Sequence, residues 1–309
     1  MAQPERSNPI RHITVAVDAS RNHGRGIIRG VAAYAREVGN WVLHLEIADT
    51  HRIVGRPPRG DGMIVSGMKD MKPWLRTLSI PLINVTDQDL SDTVPTVCVN
   101  NDRAGQLAAA HLIERGFRQF AGFARANQPM NVRRFAGFAR TVEAAGFTCR
   151  RVENTYSEQA LKDWITRQPS PLGVLAYHDN LARRLVEVAW ELGRPIPEDL
   201  AIVGMDNDPL FCELAHVAVS SVVQPLHRIG YEAARALDAW LDADGAPQHR
   251  PPPEQLLDPV TLIVRGSSDI WITQNPHVAA ALETIRRNID VPYGVDQVAD
   301  AIGISRRHL

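Results

Sequence analysis

Between residues 13 and 264, short apolar runs rich in β-branched residues alternate with stretches whose apolar positions recur every three or four residues. The first pattern is that of a buried strand and the second that of an amphipathic helix. Residues 13–17, 42–47, 63–65, 82–85 and 96–99 predict strands. Residues 27–38, apolar at 27, 28, 31, 32, 35 and 38, predict a helix, as do residues 104–114. A second series opens with a strand at 120–123 and a helix at 134–145, then a strand at 149–152 and a helix at 158–167. It continues with a strand at 174–176, a helix at 181–192 and strands at 201–204 and 261–264. Strand–helix–strand order implies parallel sheets with right-handed crossovers, and about ten strands in two series imply two α/β lobes. Residues 277–309 are purely helical, with an apolar stripe at Val278, Leu282, Ile285 and Ile289. Gly266-Ser267-Ser268-Asp269 reads as the exit from the α/β part.

Composition changes the picture little. Of 309 residues, 44% are hydrophobic and 22% charged, as in a soluble globular protein. No run approaches a membrane span, and the polar first 11 residues, expected to be disordered, hold no signal peptide. Cys98, Cys149 and Cys212 are far apart and odd in number, so no disulfide framework or metal-ligand spacing arises and a cytoplasmic setting is expected. The net charge of −1 lacks the basic surplus of a complete DNA-binding domain.

The segment from Val295 to Leu309 carries the sharpest local signal. Ala299 is the small residue where two helices of a helix-turn-helix cross, and Gly303 takes the turn. Val298, Ile302, Ile304 and Leu309 lock the pair, and Ser305 is placed as N-cap of a second helix holding Arg306, Arg307 and His308. That second helix would enter the major groove, and only its opening is present. A plain helical hairpin with a glycine cap is the alternative. Residues beyond about 290 are expected to fray, since an isolated turn does not hold its helical shape.

Other motifs carry less. Gly24, Gly26 and Gly30 form GxGxxxG, not GxGxxG, and Gly24 lies seven residues past Val17 rather than in the tight turn of a dinucleotide site. Asp49 stands where a ribose-binding acid would sit, yet residues 21–26 read better as a flexible loop over a cleft. Asp87 and Asp89 read as solvated or capping. The histidines form no HxxxH or HExxH pair and no GxSxG elbow occurs, so neither an enzyme, a cofactor nor a metal is expected.

Three segments together resemble the sensor of the lactose-repressor family, which has the periplasmic sugar-binding-protein fold. The first is 99–117, similar to "VDN…G..A..HL...G" with Asn100 in place of the usual aspartate. The second, Arg133-Arg134-Phe135-Ala136-Gly137-Phe138, resembles the "R..GF" helix start. The third, 177–180 with 192–207, matches "ND…LG..VP.D..V.G.D" and is extended by 220–224 and Gly230. Residues 285–288 and 295–309 resemble the opening of an AraC-type domain, and a sugar-repressor-like sensor followed by such a reader is the arrangement of the xylose-operon regulators.

The resemblance implies a two-lobed α/β sensor with a short all-α C-terminal piece. Its expected parts are a sensor at 12–266, a linker at 267–276 and an incomplete AraC-type domain at 277–309. Lobe 1 is expected at 12–118 and 225–254, and lobe 2 at 119–222 and 255–264. It also implies a homodimeric regulator with a sugar effector, a pentose such as D-xylose. Operator DNA is the partner of a full-length protein, and this chain is expected to bind effector but not operator. A stand-alone sugar receptor without DNA binding is the alternative.

Ligands of open α/β sheets bind beyond the carboxyl ends of strands. Asp206 is placed there to accept from two sugar hydroxyls, and Arg134, at a helix start, to donate to a ring oxygen. Asn100, His178 and Asp179 follow strands as well, and Arg21 and Asn22 reach in from the opposite lobe. Tyr177 and Phe211 are candidates to stack on the sugar face, whereas Trp164, Trp190 and Trp240 are read as core.

Overall fold

Two blocks of parallel strands, each buried on both faces, organise the chain. A computed structural model describes residues 9–46, 60–66, 72–75, 77–87, 94–125, 128–153, 157–242, 253–273 and 275–307. Asp49, Asp89, His308 and Leu309 lie outside these.

Lobe 1 holds β1 (Arg11–Ala16), β2 (Trp41–Leu45), β3 (Gly62–Val65) and β4 (Leu82–Asn84), in the order β2-β1-β3-β4 and all parallel. A bridge from Asn84 to Thr96 continues the layer to β5 (Val97–Val99), which pairs in parallel with β11 (Gln255–Leu257). The helices α1 (Asn22–Val38) and α8 (Leu226–Asp242) close a core of Ile13, Val15, Ile27, Val31, Ile64, Ile229 and Leu237. A short α2 (Lys72–Leu75) follows β3.

Lobe 2 is a six-stranded sheet ordered β12-β10-β9-β8-β6-β7. Its strands are β6 (Phe120–Ala124), β7 (Cys149–Glu153), β8 (Leu172–Leu175), β9 (Leu200–Met205), β10 (Ser220–Val223) and β12 (Thr261–Ile263). Of these only the edge strand β12 pairs antiparallel. Alternate residues face opposite sides, as a pleated strand requires. Ala201, Val203 and Met205 join one core and Leu200 and Ile202 the other. The faces are covered by α3 (Asn101–Glu114), α4 (Pro129–Ala144), α5 (Glu158–Thr166), α6 (Asp179–Glu191) and α7 (Pro209–Glu213).

The lobes divide earlier and later in the chain than the sequence suggests. Helix α3, expected in lobe 1, sends Ala104, Ala108 and Leu112 into the lobe 2 core, so the first crossing is at Asn100, not near 118. Strand β11 pairs with β5 of lobe 1, which moves the last crossing from 255 to about 258. The crossings are tied to one another: Asn100 N–H donates to Leu257 O at 2.8 Å, and Val260 N–H to Val223 O at 2.8 Å.

Residues 21–26, read as a flexible loop, are instead the start of a helix, where a Cβ on Gly24 would lie 1.8 Å from Asp18 O, and other glycines bring helices together. Helix α1 begins at Asn22, and a Cβ on Gly30 would lie 1.9 Å from His227 O while one on Gly230 would lie 1.9 Å from Ile27 O. The pair α1–α8 therefore packs backbone to backbone. In lobe 2 the same device joins α3 to α4, where a Cβ on Gly105 would lie 1.9 Å from Arg134 O and one on Gly137 2.0 Å from Asp102 O.

Three further readings are corrected. Ser267 and Ser268, placed in the exit linker, are fully buried and bonded to Ser220 of β10. Trp190 is 58% exposed and lies against His216, because the core face of α6 is carried by Leu181, Leu185, Val188 and Ala189. Beyond residue 290, α10 (Val295–Ala301) is helical and packs on α9 (Pro276–Arg287), burying Val298 and Ala299. Gly303 does take a left-handed turn, with φ 71°. In α9 the buried position is Ala281, while Val278, Ile285 and Ile289 of the expected stripe are exposed.

Candidate functional site

The carboxyl ends of both sheets face a cleft, and one buried cation organises its floor. Arg134, in the second turn of α4, is 3% exposed. Its Nε donates to Asn101 Oδ1 at 2.8 Å and its Nη1 to Tyr177 O at 2.6 Å. Its Nη2 stands 3.5 Å from Asp206 Oδ1. A buried guanidinium is tolerable only when its donors are met in this way.

Asp206 follows β9, as expected, but its backbone is unusual. Its φ is 94° and that of Asn207 is 46°, a conformation that non-glycine residues adopt at a cost of about 1–3 kcal/mol. Surrounding bonds hold it: Asp206 N–H donates to Val222 O at 3.0 Å and Asn207 N–H to Ser221 Oγ at 3.0 Å. Arg265 Nη2 donates to Asn207 Oδ1 at 2.8 Å. Burial alone would raise the Asp206 pKa, but Arg134 and then His23 outweigh it and hold the carboxyl well below the usual range. Asp206 is therefore a fixed anion with acceptor capacity left for a ligand.

His178 and Asp179 take unequal parts. His178 caps α6, its Nδ1 accepting from Leu181 N–H at 3.0 Å, which leaves the hydrogen on Nε2. Burial lowers its pKa to about 4, so the ring is a neutral donor. Asp179 is 2% exposed and accepts from Ser221 Oγ at 2.6 Å and from Asp208 N–H at 2.7 Å. Burial, then the charge of Asp206, pushes its pKa up to about 7. It lines the cleft with its oxygens committed to Ser221 and Asp208, and so shapes the 206–208 loop.

Of the nine residues singled out as ligand contacts, seven line the cleft: Arg21, Arg134, Tyr177, His178, Asp179, Asp206 and Phe211. Tyr177 is 1% exposed and belongs to the core, and its carbonyl accepts from Arg134, so it does not present the exposed stacking face expected of it. Asn100 is elsewhere: it caps α3, accepting from Arg103 N–H at 3.1 Å, and its Nδ2 donates to Asp258 at 2.8 Å. Asn22 opens α1 and is not in the cavity wall. Trp164 and Trp240 are partly buried against the cores, as expected.

Other residues were missed. Asp18, Ser66 and Thr86 follow β1, β3 and β4, where the strand-end rule should have found them. His23 reaches across the cleft to within 3.7 Å of Asp206. Asn131 enters because α4 starts a turn earlier than its apolar period shows, at Pro129. Asp87 is buried, not solvated, and spans the lobes to Arg133 at 2.5 Å and Asn101 at 2.8 Å.

Among the described residues no group of three histidines, cysteines or carboxylates could hold a metal, and no helix is long and apolar enough to cross a membrane. At the C-terminal end Ser305, Arg306 and Arg307 are exposed, and Arg306 pairs with Asp296 at 3.2 Å.

Two α/β lobes joined by three crossings around a polar cleft define a ligand-binding domain of the periplasmic-binding-protein type. The family described as periplasmic binding protein-like domain matches residues 109–268, more than half of the chain, and the protein belongs to it. The match ends at the buried Ser268 rather than at the first crossing out of the sheet. The chain is 30% identical to the xylose operon regulatory protein of Escherichia coli (strain K12), over 97% of this chain and 80% of that protein. It is 25% identical to the protein of that name in Haemophilus influenzae, over 96% and 80%. The structure of the xylose-binding transcription activator XylR superposes with a TM-score of 0.77 at 27% identity, covering 97% of this chain and 80% of that one. A CelR–cellobiose complex gives 0.67 at 25%, covering 84% and 86%. These relatives are transcription regulators, not enzymes.

Proposed function

We propose that the protein is a ligand-responsive transcription regulator whose cleft binds a neutral sugar, a pentose such as D-xylose. The observation that carries this reading is the Arg134–Asp206 pair on the cleft floor. Its charges cancel, yet it still offers acceptor sites on one side and fixed donors around it. A polyol meets such a site with bidentate hydroxyl pairs. The likeness to xylose operon regulatory proteins over nearly the whole chain supports both the regulatory role and the sugar.

Sugar bound to Arg134 and Asp206 from lobe 2 and to Asp18 and Thr86 from lobe 1 favours the closed arrangement of the lobes. Helices α9 and α10 are proposed as the opening of an AraC-type reader, with Ser305, Arg306, Arg307 and His308 beginning its recognition helix. The reader acts in a cytoplasmic homodimer, where closure changes which operator half-sites two readers can span.

Calorimetry with pentoses and hexoses tests the effector, and a gel shift on the promoter of a linked pentose-catabolic operon, with and without sugar, tests the regulator. Binding of a pentose above the hexoses is expected. A protein that binds no free sugar, or one that binds sugar while a chain extended through the reader ignores every operator offered, would reject the respective half of the proposal.

A further inference from the structure

One side chain of lobe 1 reaches the buried guanidinium without touching the cleft. At the end of β4, Asn84 is fully buried and braces the turn that follows. Its Oδ1 accepts from Thr86 N–H at 3.1 Å and its Nδ2 donates to Thr86 O at 2.7 Å. Thr86 is held in the cavity wall, and Asp87, next in the chain, meets lobe 2. One Asp87 oxygen accepts from Asn101 Nδ2 at 2.8 Å, and the other pairs with Arg133 at 2.5 Å. Asn101, 4% exposed in the first turn of α3, passes the contact on: its Oδ1 accepts from Arg134 Nε at 2.8 Å. Neither Asp87 nor Asn101 lines the cleft. The amide can take one orientation only. A carboxylate accepts and a guanidinium donates, so the nitrogen of Asn101 must face Asp87 and its oxygen Arg134.

We infer that Asp87 is a positioning residue of the ligand site, acting through Asn101 to hold the Arg134 guanidinium against Asp206. The bonds that tie the lobes together then also aim the donor that meets the ligand. The inference rests on the reading of the cleft as a sugar site. Arg134 is held from three sides, and only the Asn101 side leads back to lobe 1. Its other partners, Tyr177 O and Asp206, both belong to lobe 2. Drawing lobe 1 away takes the anchor of Asn101 with it, so Arg134 is fully aimed only when the lobes are together. The Arg133 contact contributes less, because that side chain is half-exposed and an ion pair so placed is worth little.

Calorimetry on the full chain reads the effect. D-xylose, L-arabinose, D-ribose and D-glucose are titrated into the parent, and the tightest binder into each variant. Asp87→Ala should weaken binding by roughly tenfold, as for one buried charge-assisted hydrogen bond. Arg133→Gln should stay within about twofold of the parent. Asn101→Asp sets two carboxylates face to face and should weaken binding at least as much as Asp87→Ala. Adding Asp87→Asn to it restores the order of donor and acceptor: the amide then at 87 donates to the carboxylate then at 101, which still accepts from Arg134. Affinity is expected to return to within about threefold of the parent, a coupling that only interacting residues show. A merely structural role would move the melting temperature and leave the affinity of the folded chain alone. Thermal melts identify the folded variants, and either set, Asp87→Ala with Arg133→Gln or Asn101→Asp with its rescue, suffices. Undiminished affinity in folded Asp87→Ala, or an equal loss in Arg133→Gln, overturns the positioning role and leaves the sugar sensor standing. So does a loss in Asn101→Asp that Asp87→Asn fails to reverse. If the parent binds none of the four sugars, the sugar reading itself falls, and this inference with it.

Discussion

Asp206 joins backbone strain to a fixed charge. Asparagine tolerates positive φ better than most residues, so Asp206→Asn should keep the fold while removing the anion beside Arg134. Sugar affinity is expected to fall by on the order of 2–4 kcal/mol, the range for losing charge-assisted hydrogen bonds and leaving a buried cation partly unpaired. Calorimetry on a variant with an unshifted melting temperature checks this, and undiminished affinity would remove Asp206 from the site. A pH effect belongs at the same scale. His111 is 9% exposed, bonded to Ser268 Oγ at 2.8 Å, and burial lowers its pKa from 6.5 to about 4. A base with a depressed folded pKa contributes stability present above its ordinary 6.5 and lost as the pH falls toward 4. Asp179, raised to about 7, contributes in the opposite direction, losing stability as the pH rises through 7. His111→Asn should therefore show a shallower loss of stability from pH 7 to pH 5 than the parent, by on the order of 1 kcal/mol. Urea midpoints at the two pH values decide it, and parallel losses would count against a neutral His111. The site was legible where a residue type, a strand end and a family motif coincided, as at Asp206 and Arg134. Asn100 satisfied the strand-end rule equally well and is a cap and hinge contact. No property of an asparagine in a sequence separates those roles, since both use the same amide.

Among the elements, two helix pairs are defined by what their glycines lack. Gly30→Ala would put a methyl carbon 1.9 Å from His227 O, and backbone cannot yield as a flexible side chain does. A loss of about 1–3 kcal/mol is expected from forcing α1 off α8. Gly39→Ala is the control, since its Cβ would enter open space and only the positive φ of 74° opposes it, at about 1 kcal/mol. Chemical denaturation that ranked the two alike would argue against close helix contact. Apolar periodicity placed most strands and helices, though not α2, α7, α8, β10 or β11, because a residue buried on one face must recur at the element's own period. It could not show where helices begin. The start of α1 carries His23, and that of α4 its N-cap Gln128 and Asn131, whose polar side chains line the cleft and break the pattern.

For the whole molecule the three crossings are where the closure proposed above would turn. Asp258 accepts from Asn100 across two of them and lies outside the cavity wall. Asp258→Ala keeps the cap of α3 yet frees one hinge contact, so a weaker affinity by several-fold is expected without loss of any ligand contact. An unchanged dissociation constant in calorimetry would mean that the contact does not bias the lobes. Saturating sugar at 100 times Kd should stabilise the fold by about 2.7 kcal/mol, visible as a shift in Tm.

The exit from the sensor has a mechanical consequence. Arg265 grips Asn207 at 2.8 Å, Ser267 is bonded into β9 and β10, and Ile272 N–H reaches Arg115 O at 2.8 Å while Trp271 lies under the Arg115 guanidinium. The mounting of α9 and α10 is thus bolted to one lobe alone, along a track that starts behind the ligand loop and ends at the tip of α3. The protein has the form of a lever with its pivot at Asn100 and Asp258 and its output shaft at Ile272. The lobe movement proposed above would therefore carry the chain with lobe 2 as far as Ile272, and α9 and α10 follow from there.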